Sequence, residues 1–61
     1  MGRLYYGDLQ EAREHYKKTY GVEPIVIYCN SDEFEDADLE RIEMNFPKNN
    51  FVLSHERSEN G

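Results

Sequence analysis

Cysteine is almost missing from this chain: Cys29 stands alone, so no internal disulfide can form, and no Cys and His fall at zinc-finger spacing. Without a disulfide framework, a reducing compartment is the simpler expectation. Long apolar runs are missing as well. Nothing approaches the roughly 20 apolar residues that cross a bilayer, and residues 1–7 are too short and too polar for the apolar region of a signal peptide. Tyr6 occupies the position where an N-myristoylation signal favours Ser or Thr. A soluble cytoplasmic protein is therefore expected. Positive charge is scarce, 7 basic residues against 13 acidic, where a nucleic-acid binder would carry a basic face. Tyr5, Tyr6, Tyr16, Tyr20 and Tyr28 thus lack the basic groove that a base-stacking platform needs, and packing explains them better. No Gly-rich phosphate loop, Ser-His-Asp arrangement, internal repeat, low-complexity tract or linker is found.

With 61 residues the chain supports one domain. So short a chain buries only about 60% of the surface its unfolded form exposes, which leaves it marginal without a staple or a partner.

Its one unbroken apolar run is Pro24-Ile25-Val26-Ile27-Tyr28-Cys29, preceded by Gly21 and followed by Asn30-Ser31-Asp32. Three consecutive β-branched residues between turn formers predict a strand buried on both faces, as in a parallel sheet. Arg3 to Tyr6 predicts a brief edge strand. Asp8 then stands three residues before Glu11, the spacing of a capping box, and Leu9, Ala12, Tyr16 and Tyr20 follow on one helical stripe. Glu14 and Lys18 are spaced to pair on its outside, Lys17 and Lys18 suit the negative end of the helix dipole, and Gly21 ends the helix.

A second helix is predicted over residues 32–46, capped by Ser31 or Asp32. At about 100° per residue its apolar positions split into two stripes, Leu39/Ile42/Phe46 and Phe34/Ala37/Met44, roughly 160° apart. One faces the sheet and the other must face something else, or Phe34 folds back as a staple and Ala37 needs no cover. After the turn Pro47-Lys48-Asn49-Asn50, a last strand is read over residues 50–55, with a frayed tail over 56–61. The fold class expected is α/β: a single small domain in β-α-β-α-β order, two helices on one face of a mainly parallel short sheet, the opposite sheet face bare and apolar.

Charge is unevenly distributed. Residues 32–43 hold Asp32, Glu33, Glu35, Asp36, Asp38, Glu40 and Glu43 against Arg41 alone, a net −6 that equals the charge of the whole chain. The alternation of Asp36, Asp38 and Glu40 is that of some calcium loops. From Asp32, however, Ala37 stands where the sixth position requires Gly, and from Asp36 both that Gly and the Glu at the twelfth are wanting. A solvated face is the reading, with no metal and no cofactor.

Ile25-Val26-Ile27-Tyr28-Cys29-Asn30-Ser31 is locally similar to the strand and active-site cysteine of rhodanese-type sulfurtransferases, and its strand-then-Cys layout resembles Cys-based phosphatases. Both families follow the cysteine with a loop whose Gly, Arg and backbone N–H groups hold an anion. Here Asp32, Glu33, Phe34, Glu35 and Asp36 follow, whose field raises a thiol pKa and repels anionic substrates. Cys29 is read as a core residue. If the strands run parallel, His55 and Cys29 share one end of the sheet, two ligands without a third; His15 falls on the polar side of the first helix.

The function expected is that of a small acidic protein-interaction or regulatory module and not of an enzyme. The residues 32–43 would be offered to a basic surface of another protein, one form being an inhibitor with carboxylates in place of phosphates. Phe34, Ala37 and Met44 would form an association patch, with a homodimer expected and neither nucleic acid nor membrane as direct partner. A Cys29-dependent small enzyme or sulfur carrier, and a structural subunit of a larger assembly, are the alternatives.

Overall fold

The computed structural model describes residues 2–56. Four strands and one helix follow each other as β1 (Arg3–Tyr6), α1 (Leu9–Tyr20), β2 (Val26–Cys29), β3 (Glu40–Glu43) and β4 (Asn50–Ser54). The strands form one sheet in the order β1-β4-β2-β3. β4 runs antiparallel to both of its neighbours, and only β2 and β3 are parallel.

This overturns the expected α/β architecture of two helices on a mainly parallel sheet. No helix forms over residues 32–46; the chain there is a run of turns leading into β3. The physical reason lies in the same acidic residues that suggested a capped helix. Asp32, Glu35 and Asp36, then Asp36 and Glu40, then Glu40 and Glu43, would stack like charges three and four residues apart on a helix. Asp is also a poor helix former, because its side chain competes for nearby backbone groups. As turns and strand, the segment sends Phe34 and Leu39 to the core, a division no single helix face achieves.

α1 forms as its caps dictate. Asp8 accepts a hydrogen bond from the Glu11 N–H at 2.9 Å, and Gly21 closes the helix at φ 78, donating its N–H to the Lys17 carbonyl at 2.7 Å. Ala12 and Tyr16 are buried, Leu9 is half-buried, and Tyr20 at the last turn is exposed. The outer face carries a Gln10–Glu14 hydrogen bond of 3.2 Å, and Lys17 reaches Glu23 at 3.2 Å.

The helix covers one face of the sheet. Ala12 and Tyr16 pack with Ile27, Cys29, Phe51 and Leu53, and Tyr5, Leu9, Phe34 and Leu39 close the margin. The register sets Leu4, Val52, Tyr28 and Ile42 side by side across all four strands. Strand alternation turns that row to the face without a helix. Val26 and Ser54 are buried on this same face, while Leu4 and Tyr6 stay 62% and 74% exposed.

Candidate functional site

The seven acidic residues of the segment 32–43 lie in the ten-residue crossover 30–39 and in β3. Parallel strands need a crossover, and here it is built from turns without a helix. Asn30 starts it: its side-chain oxygen accepts from the Asp32 N–H at 2.9 Å, and its amide nitrogen donates to the Phe46 carbonyl at 2.9 Å. One residue thus bends the chain and ties the crossover to the segment after β3. Phe34 next takes the left-handed conformation at φ 58, costly for an aromatic residue, and its carbonyl accepts from the Ala37 N–H at 3.1 Å. Edge-on packing of its ring against Phe51, centroids 4.9 Å apart, offsets that strain.

With Phe34 turned inward, its acidic neighbours turn outward. Asp32, Glu35, Asp36, Asp38, Glu40 and Glu43 are exposed. Glu33 is half-buried and structural: both of its carboxylate oxygens accept from the Asn49 N–H, at 2.9 and 3.2 Å. Arg41 holds the crossover from within, donating from Nη2 to the Ser31 carbonyl at 3.0 Å. Its Nε is buried without a hydrogen-bond partner among the described residues.

The three apolar residues of the expected patch go to different places. Phe34 packs against the core, Ala37 lines a shallow depression with Pro24, Ile25 and Leu39, and Met44 is exposed just past β3. An apolar sheet face without a helix was expected, but sequence periodicity did not name its row Leu4, Val52, Tyr28, Ile42. Its signal lay in the short alternations of residues 3–6 and 51–53, legible only once strand order is known.

Cys29 is fully buried under the helix and donates from Sγ to the Glu33 carbonyl at 3.7 Å. Burial pushes its thiol pKa up; Arg41 pulls it back, while Glu33 and Glu43 add to the rise. A buried, protonated thiol is a poor nucleophile. Because β4 is antiparallel to β2, Cys29 opposes Phe51, and His55 lies at the other end of the sheet. There His55 Nδ1 meets the Tyr16 hydroxyl at 2.6 Å, and the paired Cys29–His55 geometry does not arise. His15 Nδ1 meets the Tyr5 hydroxyl at 3.0 Å. Among the described residues no three His, Cys, Asp or Glu side chains are grouped to hold a metal ion, and no helix is long and apolar enough to cross a membrane.

Compared with known proteins, the chain matches no family model, no curated protein and no solved structure.

Proposed function

We propose that this chain is a small acidic interaction module whose crossover loop and β3 dock on a basic surface of another protein. The observation that carries the reading is the gathering of Asp32, Glu35, Asp36, Asp38, Glu40 and Glu43, all exposed, at the β3 side of the sheet. Arg41 bonds the loop's own backbone at Ser31, while Asn30 and Glu33 tie the loop to the Phe46 and Asn49 backbone beyond β3, so the display rests on a tied framework. A one-signed surface of this kind speeds encounter with an oppositely charged partner and disfavours partners of the same sign. An inhibitor that occupies a nucleic-acid-binding groove is one form such a module takes. A Cys29-dependent chemistry finds no support in a thiol that burial keeps protonated.

The test neutralises Glu35→Gln, Asp38→Asn and Glu43→Gln together and measures affinity for a partner isolated with the wild-type chain. Exposed ion pairs contribute roughly 0.2–1 kcal/mol each. The triple variant should therefore bind about tenfold more weakly at low ionic strength, with the difference shrinking as salt screens the charges. Equal affinity of the two proteins at low salt would refute the electrostatic reading.

A further inference from the structure

The sheet has two open edges of opposite character. At one, β3 alternates its backbone: the Glu40 and Met44 N–H groups bond the carbonyls of Ile25 and Cys29, at 3.0 and 2.8 Å. Arg41 and Glu43 consequently point their backbone groups away from β2. That edge is flanked by Glu40 and Glu43, and acidic side chains are a usual guard against edge-to-edge pairing of identical copies.

At the other edge, Gly7 donates to the Asn49 carbonyl at 2.9 Å, which sets the antiparallel alternation. Tyr5 and Arg3 bond inward to β4, and Leu4 and Tyr6 direct their N–H and C=O groups outward. The same two residues have the most exposed apolar side chains of the sheet. Here the edge has no acidic residue, no proline and no covering element among the described residues; Arg3 is the single charge of β1.

We propose that β1 pairs antiparallel with β1 of a second copy, joining two four-stranded sheets into one of eight. A two-fold axis at Tyr5 sets Leu4 opposite Tyr6 of the other copy and the reverse, so the two outward residues of each strand exchange four backbone hydrogen bonds. Leu4 and Tyr6 then form two cross-strand apolar pairs on the face without a helix. They prolong the row that Val52, Tyr28 and Ile42 continue. The two Arg3 residues fall at opposite ends of the joint.

Charge placement selects the second copy as occupant. The net −6 of the chain lies within residues 32–43, and strand order sets β3 at the far edge from β1. In the eight-stranded sheet the two β3 strands are seven strand spacings apart, roughly 34 Å. That is well beyond the Debye length of about 8 Å at physiological salt. Pairing through β3 would instead bring Glu40 and Glu43 of both copies within one spacing. A four-residue joint buries less than the about 800 Å² per partner of a standard stable interface. The association is accordingly weak and concentration-dependent, and leaves the acidic edges outermost.

The experiment measures mass in solution by sedimentation from about 5 µM to about 1 mM, with amide hydrogen exchange on the wild-type chain at both ends of that range. Dimer should appear on concentration, and the Leu4 and Tyr6 amides should exchange at least tenfold more slowly in it. Tyr6→Pro removes one outward N–H while leaving the bonds to β4 untouched, whereas Tyr6→Ala keeps that N–H. Dimerisation should weaken at least tenfold more in the proline variant than in the alanine variant. A monomer at about 1 mM would overturn the proposal, as would a dimer whose Leu4 and Tyr6 amides exchange at the monomer rate. The exchange result stands on the wild-type chain even where Tyr6→Pro fails to fold.

Discussion

Removing one oxygen atom, in Tyr16→Phe, tests how the end of β4 is held to the helix. Tyr16 is completely buried, and its hydroxyl meets His55 Nδ1 at 2.6 Å across 39 residues of sequence. With a neutral imidazole the phenol donates and the ring nitrogen accepts. The ring of Tyr20 lies 4.5 Å from that of Tyr16 and 6.3 Å from that of His55. Phenylalanine keeps this ring packing and loses only the hydrogen bond. The cost is that of one net hydrogen bond with a partner left half-buried, about 1–2 kcal/mol. In a domain of this size each kcal/mol shifts Tm by about 4–8 °C, so Tm should fall by about 5–15 °C in thermal denaturation followed by circular dichroism.

A second arm comes from pH. Burial raises the Tyr16 phenol above its ordinary value near 10, partly opposed by a hydrogen bond from the His55 backbone. From about pH 10 upward the unfolded chain sheds a phenolic proton that the folded chain keeps. Stability therefore falls with rising pH until the folded phenol ionises as well. Tyr16→Phe should flatten this alkaline decline without removing it, because burial raises Tyr5 too, against the pull of Arg3. A double-mutant cycle with His55→Ala should give a coupling of about 1 kcal/mol. Zero coupling together with an unchanged alkaline profile would refute the link between the two side chains.

Two more outcomes are expected. Asp8→Ala removes the acceptor for the Glu11 N–H and should cost about 0.5–2 kcal/mol in urea denaturation, while Asp8→Asn should retain most of the stability. Cys29, buried with a raised thiol pKa, should resist alkylation near neutral pH in the folded chain and react fully in denaturant; fast labelling under native conditions would contradict its place in the core.

What the sequence discloses about this fold depends on how local the deciding interaction is. The helix α1 is legible because Asp8, Glu11 and Gly21 settle its ends within a few residues, and its apolar stripe is regular. The strand at Val26 to Cys29 is legible from its β-branched run, but its partners are not. Whether it joins a parallel or an antiparallel neighbour is decided by pairings with Ser54 and Phe51, more than 20 residues away. The segment 32–46 misleads because Asp32 with Glu35 reads equally as a helix start or as turn chemistry. Its two opposed apolar stripes were the sign that a single helix could not satisfy it: Phe34 and Leu39 need the core, and Ile42 lies across the sheet on the other face. The acidic residues were identified from composition alone, but not their setting. Only the bonds of Asn30, Glu33 and Arg41 to distant backbone place them at an edge.

Strand order also bears on how the chain is made. β4 is the last strand among the described residues and lies between β1 and β2, holding both by antiparallel ladders. A ribosome releases residues in order, so β1, β2 and β3 all emerge before the strand that joins them. Until then β2 and β3 have only their four-residue parallel pairing, fewer strands than an independently stable sheet requires. Ile27 and Cys29 lack Phe51 and Leu53 meanwhile, and long-range pairings such as Arg3 with Leu53 are slow to close. The four-stranded sheet therefore closes only after β4 has been made.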